Sequence, residues 1–335
     1  MEPGVQSITS AGLLNPEAWA LGLGLMLLAL PVLIAAGAVG MSFCIALSGW
    51  AGGKVFADKL SKQLAEFGIM VLGGWLLLVS VRWGLWAASW WPTGEVAQVF
   101  YPLFFDIPGH LALLFTLVSI ALVRFRRRSR RTTWVHLALG AICVFVWSAT
   151  LAAFVAGAFQ HLDNAVVETK LSLYGFAAAM TTPLAWLAWG QLFFLGLAAG
   201  AGFGLLYLLA KRNKEDYGRD YYCWSVKHCA WWAFLTGIIH AGLVKAVFWC
   251  GAVAREERTD LAGAGWISEA IQAFVGHETT PVLVLALSLG LAACLCLVPV
   301  LRTQTPLRMK GWILVHAGLF MLGVAAVCRM YGDLF

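Results

Sequence analysis

Charge is what this chain has least of. Only 12% of its 335 residues are Asp, Glu, Lys or Arg, against about a quarter in soluble domains. With 61% hydrophobic residues and a mean hydropathy of +0.80, a soluble enzyme and a disordered protein are both excluded. A CxxC pair is also absent: Cys44, Cys143, Cys223, Cys229, Cys250, Cys294, Cys296 and Cys328 are scattered mostly through apolar stretches. Such thiols act as small hydrophobes, and a disulfide scaffold is ruled out. The apolar runs do not alternate with polar residues over about ten positions, which excludes a β-barrel. No internal repeat and no low-complexity linker occur, and the N-terminus lacks the charged n-region and cleavage site of a signal peptide. The first apolar segment is therefore expected to remain in the mature protein.

What is present is an all-α, polytopic transmembrane helix bundle. About eight segments are long enough to span some 30 Å of hydrocarbon at 1.5 Å per residue. They fall at 18–48, 65–90, 99–123, 134–158, 174–210, 229–251, 280–301 and 311–330. Pro31 and Pro183 are placed to kink or start the two longest. The whole of 1–335 reads as one integral-membrane domain, with the first five helices in 1–210, a cytoplasmic loop at 211–228 and the last three helices in 229–335. The connections 211–228 and 252–279 are too short to bury a core of their own.

Most of the 23 Lys and Arg residues fall in alternate loops. Lys54, Lys59 and Lys62 follow the first helix, the run Arg124–Arg131 the third, Lys211–Lys227 the fifth, and Arg302–Lys310 the seventh. By the positive-inside rule these loops are cytoplasmic and both termini lie outside. The net charge of +6 is then a topology signal, and no nucleic-acid partner is expected. Trp83, Trp86, Trp90 and Trp91 crowd the outer end of the second helix, where indole rings anchor among headgroups.

Ionisable residues inside the spans are the candidate functional set, because each costs about 2.5 kcal/mol or more at the bilayer centre. By helical rise His110 lies about 21 Å from Arg124 at the inner edge, and His240 about 18 Å from His228. Arg82, Lys245 and Arg329 lie farther out, about 25 to 29 Å from that edge. Asp106 is roughly one turn outward of His110 and is placed to pair with one of these cations. Two readings stay open. In one, His110 and His240 are axial ligands of a b-type heme or hydrogen-bond to a quinone, and Arg82, Lys245 and Arg329 neutralise propionates or a quinone anion. In the other, the histidines bond between helices and the cations snorkel to the headgroups.

Other residues read as structural. His136, His228 and His316 sit at inner helix ends, where solvation or capping is expected. Cys223, His228 and Cys229 lack a second half-site for a metal. Gly196, Gly200, Gly202 and Gly204 form a small-residue face for close helix packing.

The first five helices resemble subunit I of cytochrome bd quinol oxidases. The likeness rests on a proline in the first helix followed by Leu47-Ser48-Gly49 and a lysine-bearing loop, and on Pro102-Leu103 followed by Asp106, where the family has a proton-path glutamate. It continues in Pro183 leading through a glycine-rich stretch to Leu208-Leu209-Ala210-Lys211-Arg212. The resemblance implies a membrane subunit of a respiratory electron-transfer complex that interacts with quinone, with one b-type heme left open. It also implies lipid and other membrane subunits as partners, with a redox protein on the outer side, in a bacterial cytoplasmic membrane. The departures matter as well: the family's heme-ligating histidines would fall at Met26 and Gln191, and the stretch 252–279 is much shorter than the family's quinol loop. Oxygen reduction by this chain alone is therefore not expected. A heme-free anchor or assembly subunit remains an alternative, and so does a transporter, although no paired broken helices or midplane carboxylate array support one.

Overall fold

A segment that is apolar on all sides satisfies its backbone in lipid by bonding internally, as a helix. The computed structural model describes residues 16–52, 55–87, 107–128, 134–163, 173–212, 217–256 and 280–334. Among them every regular element is helical: α1 (Pro16–Gly52), α2 (Val55–Ala87), α3 (Ile107–Arg128), α4 (Trp134–Asp163), α5 (Leu173–Ala179), α6 (Pro183–Lys211), α7 (Arg219–Glu256), α8 (Thr280–Leu295), α9 (Val298–Arg302), a single 3-10 turn at Pro306–Arg308, and α10 (Lys310–Leu334). Six helices are long and apolar enough to cross a membrane, and a shorter apolar stretch, His110–Phe125, lies in α3. The chain is a multi-pass helical membrane protein. Of the expected spans, α2 falls outside those six among the described residues; its first turns carry Asp58, Lys59, Lys62 and Glu66.

Several boundaries differ from expectation, each for a local reason. The second helix begins at Val55 rather than 65 because Ala57, Leu60, Ser61 and Leu64 form a buried stripe at helical spacing. Lys59 and Lys62 are consequently helical, not part of a loop. The stretch expected as the loop 211–228 is helical from Arg219 onward, since Tyr221, Tyr222, Ser225, Val226, Cys229 and Ala230 recur on one buried face. The long fifth segment is two helices: the chain turns at Met180–Thr182, and α6 restarts with Pro183 at its first position, where its missing N–H costs no bond. The seventh breaks at Cys296–Leu297 because Pro299 cannot donate to the carbonyl of Leu295 and its ring crowds it. Pro31, by contrast, lies within an uninterrupted α1.

The bundle is organised around α1 and α6. α1 packs on α2, α4, α6 and α10; α6 packs on α7 as well as on α1, α4 and α10. Glycine makes the α1–α6 crossing possible. A Cβ on Gly37 would overlap the Gly196 carbonyl, and one on Gly200 would overlap the backbone at Gly37–Ala38. The glycine-rich face of α6 is thus a packing surface, and it serves more than one neighbour: Gly202 adjoins the His316 ring on α10, and Gly204 adjoins Leu64 on α2. Gly196 also receives the Trp147 indole from α4. In lipid, where apolar burial gives helices little reason to associate, such close backbone approach supplies the dispersion contacts that hold them.

Candidate functional site

The sequence-derived candidates separate in the structure. His240 is buried on α7, with 8% of its surface exposed. Its Nδ1 lies 3.2 Å from the backbone oxygen of Gln191 on α6. His110 is on the exposed side of α3, a helix that packs on α4 and α2, whereas α7 packs on α6 and α8. The two histidines are therefore not brought together as a facing pair. Lys245 is exposed on α7, while Arg329 on α10 is buried at 3% exposure with its guanidinium carbon 5.0 Å from the centroid of the Trp19 ring on α1. One of these cations is thus exposed and the other buried. Arg82 belongs to α2, but its side chain lies outside the described residues, as do Asp106, Pro102, Leu103 and most of the stretch 252–279.

Around His240 the structure forms a cleft between α7, α8 and α10. It is lined by Gly237, His240, Ala241 and Val244 of α7, by Ala286, Leu287, Gly290 and Cys294 of α8, and by Phe320, Gly323, Val324 and Val327 of α10. Small residues on all three helices hold it open, and His240 and Cys294 are the polar side chains of an otherwise apolar wall. The enclosed volume is about 20 Å³, room for about one water, so a larger ligand would lie partly in the mouth of the cleft. A carbonyl only accepts, so the Gln191 oxygen fixes the proton of His240 on Nδ1. In the neutral ring that leaves Nε2 as a hydrogen-bond acceptor.

Two buried histidines belong to the inner positions expected to be solvated or capping. His136 is 3% and His316 is 2% exposed. His316 Nδ1 lies 2.8 Å from the Ala293 carbonyl oxygen of α8, and its ring packs near Phe320. What makes space for it is the missing side chain of Gly202, a signal present in the sequence but not attributable to His316 without the fold. His228 stacks on Trp224 at 4.7 Å between centroids, and its Nε2 accepts from Trp232 Nε1 at 3.3 Å. Among the described residues no group of three or more His, Cys, Asp or Glu is placed to hold a metal ion.

The residues do not fit a heme held between His110 and His240. His110 is exposed on α3 while His240 is buried on α7, and the cleft beside His240 is far too small to take a porphyrin edge-on. The positions of the resembling family's ligands, Met26 and Gln191, are both buried within the packed core. Gln191 nevertheless abuts His240, which lines the cleft, through its backbone oxygen. Comparison with protein-family models finds no match, and comparison with curated proteins finds none either, so the reading of function rests on the residues themselves.

Proposed function

We propose that this chain is a heme-free, integral-membrane subunit of a respiratory electron-transfer complex, and that a quinol from the lipid lies at the mouth of its α7–α8–α10 cleft with one hydroxyl directed inward. The observation that carries the reading is the buried His240 imidazole on the wall of the cleft with its Nδ1 bonded to the Gln191 carbonyl; in the neutral tautomer its Nε2 is an acceptor. A quinol hydroxyl donates to such a nitrogen, and the same nitrogen can take the proton when the quinol is oxidised by a partner. The apolar lining suits a ring held at the mouth of the cleft. Positive-inside reasoning puts the basic end in the cytoplasm and both termini on the opposite side; a bacterial membrane and a redox partner on that outer side belong to this proposal through the family resemblance alone. The role of Asp106 as a proton-path acid belongs to this proposal through the family resemblance alone.

The test is photocrosslinking of an azido-quinone to the purified complex, followed by peptide mapping and an absorption spectrum. Label is expected on α7, α8 or α10, with a visible spectrum free of heme bands. His240→Ala should weaken labelling about five- to tenfold, the equivalent of one hydrogen bond of about 1 kcal/mol, while His110→Ala leaves it unchanged. Labelling indifferent to His240→Ala sinks the quinol reading. A subunit that only anchors a complex would then be preferred, consistent with the interlocked α1–α6 backbones.

A further inference from the structure

We propose that the basic end of the bundle, where Lys59 sits on the rings of Tyr217 and Tyr221, is a seat for the phosphate headgroup of an anionic phospholipid. Lys59 Nζ lies 4.9 Å from the centroid of Tyr217 and 5.9 Å from that of Tyr221, within the reach of a cation–π contact. Its position is set by a chain of contacts from the core outward. Tyr221 is fully buried, gives its hydroxyl to Gln63 of α2, and meets Phe56 edge-on at 5.7 Å. Tyr217 packs edge-on against Tyr221 at 5.4 Å. Gly218 supplies the turn: its φ of +84°, which other residues rarely adopt, brings Tyr217 to α2 just before α7 begins.

Among the described residues the charge held there has no carboxylate partner. Lys62, one turn along α2, is bound to Asp58 at 2.8 Å, whereas neither Lys59 nor Arg219 makes an ion pair among the described residues. A tyrosine face orients an ammonium without cancelling it, so the cation stays available to an anion on its open side. The source of that anion follows from depth. The spanning stretch of α7 begins at Arg219 and that of α6 ends at Lys211, which sets Lys59, Tyr217 and Arg219 at the level of the headgroups. Tyrosine is favoured there because its ring tolerates hydrocarbon and its hydroxyl tolerates water. The exposed side chain of Val55 begins α2 on the same end, next to Phe56, which approaches Trp224 at 6.0 Å. An acyl chain has an apolar surface to follow from this seat; a free phosphate ion gains nothing from it.

Native mass spectrometry of the detergent-purified protein, titrated with dioleoyl phosphatidylglycerol or dioleoyl phosphatidylcholine, tests this. The phosphatidylglycerol adduct should be retained preferentially. Lys59→Gln should weaken it about fivefold, the equivalent of about 1 kcal/mol for one interfacial charge. Lys59→Arg should keep it, and Lys62→Gln should change it less than about twofold because Asp58 already neutralises that lysine. An unchanged thermal midpoint shows that Lys59→Gln folds; if the midpoint falls, the retained adduct of Lys59→Arg against its loss in Tyr217→Leu decides instead. Equal retention of the two lipids overturns the proposal, as does an equal loss in Lys59→Gln and Lys62→Gln. Displacement of the lipid by inorganic phosphate at millimolar concentration overturns the lipid assignment.

Discussion

At Gly37 the absence of a single carbon decides whether two helices can meet. Its α-carbon approaches the Gly196 carbonyl so closely that a methyl group has nowhere to go, and backbone, unlike a side chain, cannot rotate aside. Gly37→Ala should therefore lower stability by about 1–3 kcal/mol, the usual cost of overpacking, seen as a fall in thermal midpoint in detergent. Gly24→Ala on the same helix, where nothing lies within 4 Å, should leave the midpoint unchanged or raise it. A Gly37→Ala protein as stable as its parent would show that the α1–α6 crossing is not as close as described. Residue type was informative at such positions: glycine spacing in α6 indicates close packing from sequence alone. Histidine type was not. His240 and His316 are both buried and both bonded through Nδ1 to a carbonyl of another helix, yet helical rise assigns one to mid-membrane and the other to a solvated end. Depth along a helix is legible in one dimension, whereas burial depends on which neighbour faces the side chain. The burial of Arg329 escaped the sequence for the same reason.

Among the elements, the joint between α5 and α6 shows how a local sequence interrupts an apolar run without charge. The Thr182 hydroxyl donates to the Ala179 carbonyl at 2.9 Å and accepts from the Ala185 N–H at 3.4 Å, joining the last turn of one helix to the first of the next. Trp186 adds a bond from Nε1 to the Met180 carbonyl at 2.8 Å. Thr182→Ala should cost about 1 kcal/mol, the typical value of an N-cap, and should speed hydrogen exchange at Ala185 ahead of the rest of α6. Exchange there no faster than in the parent would show that the cap is idle. Hydropathy merges α5 and α6 into one span because Met180–Pro183 contains no charge; cap chemistry, Thr followed by Pro, divides them. Conversely the inward extension of α7 over residues 219–228 is hidden by its Arg, Asp, Lys and His residues, although its buried stripe of Tyr221, Tyr222 and Val226 keeps a helical period.

For the whole molecule, the all-α bundle was legible because composition and length leave lipid-embedded helices few alternatives, while the order of neighbours was not, since apolar helices carry little that names a partner. Orientation has its own test. Reporters fused after Arg131 or Arg219 should read cytoplasmic and one fused after Gly94 external; the reverse pattern would invert the proposed placement of the basic end. The central place of α1 has a consequence in time. Its contact with α10 is among the most distant in sequence, with Gly22 against the backbone of Arg329 and Trp19 under its guanidinium. At a synthesis rate of about 5–20 residues per second, roughly 10 to 50 s separate the emergence of these two helices from the ribosome. Throughout that interval the side of α1 destined for α10 is covered by lipid or by an insertase, and the nascent bundle closes around α1 only when α10 arrives.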